Sequence, residues 1–215
     1  MLVDLLFVAS ALVNGVLGNF ISYKINKNFI VDPIHILTGG LIYDDSRIIM
    51  VKDILVFAPI SIMTLYNPIH AIVMAKLYAL CSFLRPICYL STSLPPPNNR
   101  FLRIIKNPFH TISGSKGDLI YSGHVTFVTS SLLVINRFYD VPYLFTIAYL
   151  AVTGFLTSMT RSHYTVDVTI SFIITSLLTT LISSARPDTV WGRLGDFIFN
   201  VSSISLSTTI ESLMA

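Results

Sequence analysis

Two short polar clusters interrupt an otherwise apolar chain: Tyr121-Ser122-Gly123-His124 and Arg161-Ser162-His163-Tyr164-Thr165-Val166-Asp167. Ionisable side chains within apolar helices are costly and mark functional sites by default. In the second cluster His163 and Asp167 stand at i and i+4, neighbours on one helix face. A carboxylate there can accept a bond from one imidazole nitrogen, which fixes the tautomer and leaves the other nitrogen as a nucleophile. That is the orienting logic of a catalytic triad, with histidine itself attacking. His163 follows His124 by 39 residues, about two membrane spans. A chain that crosses at His124 and returns arrives at His163 on the same face. His124 is then placed as the complementary acid, protonating a leaving alkoxide. Arg161 lies beside them as a candidate clamp for phosphate oxygens. An Asp–His pair near an interface can also be purely structural; two such clusters in register favour the catalytic reading.

The elements that must position these residues follow from composition. Of 215 residues, 53% are hydrophobic and 12% charged, with mean hydropathy +0.72. A soluble domain carries about 25% charged residues, so intrinsic disorder, a coiled coil and a disulfide-rich secreted domain are excluded. The fold class expected is all-α, a polytopic membrane protein built as a six-transmembrane-helix bundle. The apolar runs predict spans over Leu2–Ser22, Ile54–Leu65, Ile69–Leu94, Leu119–Ile135, Pro142–Met159 and Tyr164–Ser183. The first lacks a basic n-region and reads as a retained helix rather than a cleaved signal. Residues 1–185 form the membrane catalytic domain, with its motif core over 80–180. Residues 186–215 form a tail in which Trp191, Leu194, Phe197, Ile198, Val201 and Ile204 recur at helical spacing, as in an interfacial amphipathic helix. A net charge of +3, from 14 Lys+Arg against 11 Asp+Glu without a basic run, makes no case for nucleic acid.

The remaining polar residues have plainer readings. Arg85 is either a phosphate ligand or a snorkelling interface residue. Tyr164 either stacks on a choline ammonium or is an interfacial tyrosine. Asp118 reads as a helix cap. His35, His70 and His110 lack a partner motif and read as loop or packing residues. Cys81 and Cys88, seven apart in one apolar stretch, are too far apart on a helix to pair with each other and read as buried thiols. No His-Glu-x-x-His motif, cysteine pair or carboxylate cluster suggests a metal, and no cofactor motif is present.

Three blocks resemble those of the sphingomyelin synthase family, a branch of the type-2 phosphatidic-acid phosphatase superfamily. Arg85 through Thr92, Leu94, Pro95 and Pro97 is similar to R-x6-T-x-L-P-x-P. Gly117-Asp118 through Ser122-Gly123-His124 is similar to G-D-x-x-x-S-G-H, and His163 through Asp167 matches H-Y-T-x-D. The general phosphatase branch fits less well, since its K-x6-R-P block would need a lysine seven residues before Arg85, and Lys76 stands nine before. Ser122 to Val125 and Thr160 to His163 are also similar to plant phosphatidylcholine–diacylglycerol cholinephosphotransferases. The resemblance implies six helices and metal-independent transfer of a phospho-headgroup between membrane lipids. His163 is the implied nucleophile, Asp167 its orienting partner and His124 the acid/base. Arg85, Arg161, Ser122, Gly123 and Tyr164 are the candidate phosphate- and substrate-binding residues. The implied donor is a phosphatidylcholine-like lipid and the acceptor ceramide or diacylglycerol. Two alternatives stand beside it: a lipid phosphatase or phospholipase-C-like hydrolase using water, and a catalytically silent membrane scaffold or transporter. The resemblance implies a lumenal or exoplasmic active face in an endomembrane or the plasma membrane, and that orientation is the expectation taken here. The distribution of Lys and Arg among the loops points the other way.

Overall fold

The computed structural model describes residues 9, 12, 13, 32–38, 45–91 and 121–200. Among the described residues the regular structure is entirely helical: α1 (Pro33–Leu37), α2 (Ser46–Tyr66), α3 (Pro68–Ser91), α4 (Gly123–Phe138), α5 (Tyr143–Met159), α6 (Thr165–Ser184) and α7 (Val190–Phe199). Among the described residues, three stretches are long and apolar enough to cross a membrane: Ser46–Tyr66, Pro68–Cys88 and Thr165–Ser184. Helix α5 is a shorter apolar helix. Nearly all of the expected first span, and residues 92–120 with His110 and Asp118, lie outside the described residues.

Caps rather than hydropathy set the helix starts. The Asp45 carboxylate accepts the Arg47 amide at 2.8 Å, so α2 begins at Ser46 instead of Ile54. Arg47, Lys52 and Asp53 therefore lie within the helix. Asn67 is extended and its side chain accepts the Ile69 amide. Pro68 opens α3 at the position where a missing N–H does no harm. Ser122 caps α4 through a bond from the Val125 amide, which moves its start to Gly123 rather than Leu119. Helices α5 and α6 lie within one residue of their expected bounds.

Helix α4 packs against α2, α3, α5 and α6. Its buried side chains include Val125, Thr126, Val128, Thr129, Ser130, Ser131, Leu132 and Val134, as expected of a helix enclosed on several sides. The surrounding faces contribute Ser82, Thr153, Thr157, Ser158, Ser171, Thr175 and Thr179 to the interior. Many of these hydroxyls donate to the carbonyl four residues back, as Thr126, Thr157, Ser171 and Thr179 do. Meanwhile Ile54, Phe57, Leu65, Leu144, Ile147, Ile173 and Leu177 are exposed. Small polar residues inside and large apolar ones outside are the arrangement of helices packed within lipid.

The long helices alternate in direction. The start of α2, the end of α3, the start of α4 and the α5–α6 reversal meet at one end, where Lys52 reaches Ser162 and Arg85 reaches Gly123. At the opposite end His70 stacks on Phe138 at 4.1 Å and contacts the Tyr139 hydroxyl at 2.9 Å, a packing role. The apolar core lies towards that second end and includes Met63, Met74, Leu77, Cys81, Leu178 and Ile182. Cys81 is buried, whereas Cys88 is only half-buried.

Helix α7 closes this core. Ile198 and Phe199 enter it, Lys76 donates to the Phe197 carbonyl at 2.8 Å, and the Arg137 guanidinium lies over the Phe199 ring. Gly195 rests directly on the Ile182 carbonyl, with no space for a Cβ. A leucine there forces α7 off the bundle. Gly195→Leu is expected to destabilise the protein by about 1–3 kcal/mol, the usual cost of overpacking. A lowered thermal midpoint in detergent and faster proteolysis between residues 185 and 200 are the measurements that check it.

Candidate active site

His163 is carried on a short reversal between α5 and α6. Thr160 caps α5, and Arg161 follows at φ 49°, in the left-handed region. The Arg161 amide donates to the Ser158 carbonyl at 2.8 Å, a helix ending that usually recruits glycine. A residue with a Cβ costs about 1–2 kcal/mol in that conformation. Ser162 and His163 complete the reversal, Tyr164 is extended, and α6 begins at Thr165.

The first turn of α6 is built around Asp167, which is fully buried. Its Oδ2 accepts the Tyr164 amide at 2.8 Å and lies 3.5 Å from His163 Nδ1. That separation is long for a hydrogen bond, as is common before substrate tightens a site. With Nδ1 turned to the carboxyl group, Nε2 is the nitrogen left to react. His163 itself is 7% exposed.

His124 stands in the first turn of α4. The head of that helix is tied to α6 by two bonds in series. The Ser122 amide donates to Ser171 Oγ at 2.5 Å, and Ser171 Oγ donates to the Asp167 carbonyl at 2.6 Å. The Tyr121 hydroxyl adds a contact to Thr175 Oγ1 at 3.1 Å. The result is a fixed relation between the imidazoles: the His124 and His163 ring centroids are 6.1 Å apart, edge to face.

Cationic side chains gather around this pair. A Cβ at Gly123 would lie 2.9 Å from Arg85 Nη1, so the guanidinium rests against the bare backbone at the head of α4. Arg161 sits two residues before His163. Lys52, which sequence reasoning left at the edge of a span, is 4% exposed. Its ammonium lies 2.9 Å from Asp53 Oδ1 and donates to Ser162 Oγ at 3.4 Å. A lysine within an apolar helix was the signal available for it. Lys76, by contrast, is committed to Phe197 at the opposite end of the bundle.

Two further residues border the reversal. Asp32 accepts the Thr165 amide at 2.7 Å and the Thr165 hydroxyl at 2.8 Å. Burial works against its ionisation, but the Thr165 and His35 bonds outweigh it and hold the carboxyl group below the usual carboxylate range. His35 Nε2 lies 3.3 Å from the His163 carbonyl, and its ring is 5.5 Å from that of Tyr164. Tyr164 is itself buried, packed beside His35. Among the described residues no three His, Cys, Asp or Glu side chains are grouped to hold a metal ion.

The geometry brings together groups that could serve phosphoryl transfer: two imidazoles edge to face, one beside a carboxyl group, with Arg85 and Lys52 at the same end of the bundle. Residues 116–184, roughly a third of the chain, match the family model described as PAP2 superfamily C-terminal. The match takes in His124, Arg161, His163 and Asp167. No curated protein and no solved structure matches the chain.

The strained backbone at Arg161 separates fold from function. Arg161→Gly relieves the left-handed conformation, whereas Arg161→Ala retains its cost. The glycine variant is expected to be more stable than the alanine variant by about 1 kcal/mol. Both are expected to lose activity to a similar degree, because both lack the guanidinium. Thermal unfolding beside turnover of the two variants checks this.

Proposed function

We propose that the protein is a membrane phosphotransferase, sphingomyelin synthase-like, that moves a phosphocholine-like headgroup from a phospholipid to ceramide or diacylglycerol. The observation that carries the proposal is the His124–His163 pair, 6.1 Å between ring centroids, with His163 Nδ1 turned towards Asp167. An in-line displacement needs a nucleophile about 3 Å from phosphorus and a proton donor about 2.8 Å from the leaving oxygen. Two imidazoles facing one another across a single phosphoryl group meet that need.

In this reading His163 Nε2 attacks the donor phosphorus and the phosphorus–oxygen bond to the diacylglycerol breaks. His124 gives its proton to the departing oxygen, and a phosphohistidine forms. The acceptor hydroxyl then gives its proton to His124 and attacks phosphorus, and the nitrogen–phosphorus bond breaks. Arg85, Arg161 and Lys52 neutralise the phosphoryl oxygens, the electrostatic share of the catalysis. Near-complete burial of His163 and Asp167 supports a lipid hydroxyl rather than water as acceptor, since excluding water suppresses hydrolysis. The resemblance in three blocks supports the headgroup class. Six spans and a lumenal or exoplasmic active face complete the proposal. A protease-protected C-terminal tag in sealed microsomes would reverse that orientation.

His163→Ala and His124→Ala are each expected to lower turnover about a thousandfold or more. Asp167→Asn is expected to retain a measurable remnant, because the imidazole keeps its nucleophile and loses its orientation. The test is a lipid-product profile with phosphatidylcholine and ceramide in membranes lacking endogenous sphingomyelin synthesis. Sphingomyelin formation dependent on His163 supports transfer, and free phosphocholine alone points to a hydrolase. Absence of any His163-dependent product sinks the assignment.

Because the steps use only protein side chains, EDTA is expected to leave the rate unchanged. Inhibition that a divalent ion restores would require a different chemistry.

A further inference from the structure

A nucleophile on a short reversal is only as well placed as its backbone. The residue preceding α6 is Tyr164, which is not among the side chains that cap helix N-termini well. The Thr165 amide is one of the four donors that a helix start leaves without an intrahelical acceptor. Its acceptor comes from elsewhere in the chain. Asp32 Oδ2 takes the Thr165 amide at 2.7 Å, and Oδ1 takes the Thr165 hydroxyl at 2.8 Å. The same Oδ1 accepts the Ile34 and His35 amides at 3.0 and 3.2 Å, capping α1. One buried carboxylate thus joins the starts of two helices.

His35 adds a second hold one residue closer to the chemistry. Its Nε2 lies 3.3 Å from the His163 carbonyl, which can only accept, so this nitrogen carries the proton. Its ring packs beside Tyr164. The peptide units on both sides of Tyr164 are therefore gripped from outside the α5–α6 pair. Asp167 grips from within, through the Tyr164 amide.

We propose that Asp32 and His35 are positioning residues for His163: segment 32–38 is a clamp that holds the His163–Thr165 backbone so that the imidazole meets Asp167 and faces His124. This rests on the reading of His163 as nucleophile. Neither residue touches the reacting atoms; both act through the backbone that carries them.

The test compares Asp32→Asn, His35→Leu and His35→Gln with the wild type in the full-length, detergent-solubilised protein. The Gln amide nitrogen falls where His Nε2 stands, so His35→Gln retains the donor. Two measurements are made. The first is the rate of carbethoxylation by diethylpyrocarbonate at His163 relative to His124, read by peptide mass spectrometry. Freed from the clamp, the nearly buried His163 becomes accessible. Its relative rate is expected to rise about threefold or more in Asp32→Asn and His35→Leu, and to return towards the wild-type value in His35→Gln. The second is the split between kcat and KM for the phospholipid donor. A drop of about 10- to 100-fold in kcat with little change in KM is expected for the first two variants, the scale of a small misplacement, with recovery in His35→Gln. An unchanged reactivity ratio in Asp32→Asn and His35→Leu overturns the clamp, whether or not turnover is detected. Equal gains at His124 and His163, unrelieved by His35→Gln, also overturn it, because they mark general loosening. If the reactivity ratio responds but the wild type makes no His163-dependent product, the clamp stands as geometry and the proposed function falls.

Discussion

The Asp167 carboxyl group is withdrawn from solvent at the start of a helix apolar enough to cross a membrane, and a buried polar group is costly unless donors meet it. Meeting that demand organises the site. The Tyr164 amide turns back to Oδ2, which fixes the last residue before α6. The His163 imidazole faces the same oxygen. The Asp167 carbonyl takes the Ser171 hydroxyl, whose oxygen in turn accepts from Ser122 at the head of α4. A single residue therefore sets the reversal, the His163 imidazole and, through two bonds, the head of the helix that carries His124. The N-terminal end of a helix dipole is also a favourable place for an acidic group.

The bundle around it is assembled from small hydroxyl-bearing residues rather than large apolar ones. Gly154 on α5 illustrates the consequence: a Cβ there would stand 2.9 Å from the Val168 side chain of α6. That close approach keeps the two helices that flank His163 side by side. Satisfying hydroxyls on their own helix leaves few demands on neighbouring helices. The few cross-helix bonds, such as Tyr149 to the Leu55 carbonyl and Thr146 to Asn136, can then fix register.

What was legible in the sequence was local. His163 and Asp167 are four residues apart on one helix, and the distance from His124 to His163 is a matter of counting spans. The ends of α5 and α6 were marked by Pro142 and by the polar cluster at 161–164. The start of α2 was not, because Asp45, Arg47, Lys52 and Asp53 lower hydropathy where a cap and a partly buried polar face allow a helix. Asp32 and His35 were invisible as site residues for another reason. Their partners lie 133 and 128 residues away, and no periodicity connects positions so distant. An aspartate before a proline suits a helix start. It carried no indication that the same carboxylate would also cap a second helix. Lys52 shows the converse: its cost in an apolar helix was readable, but not the Ser162 hydroxyl that it meets.

The bond between Asp32 and Thr165 also has a meaning in time. A ribosome makes the acceptor long before the donor, so segment 32–38 exists through most of synthesis without the helix it will cap. The reversal bearing His163 joins α5 to α6 locally, yet its contacts with Asp32 and His35 need segment 32–38 to be packed against it. Segment 116–184, which matches the PAP2 superfamily C-terminal model, contains both histidines and Asp167 but not Asp32 or His35. The surroundings of His163 are thereby a property of the assembled chain, drawn from residues far apart in sequence.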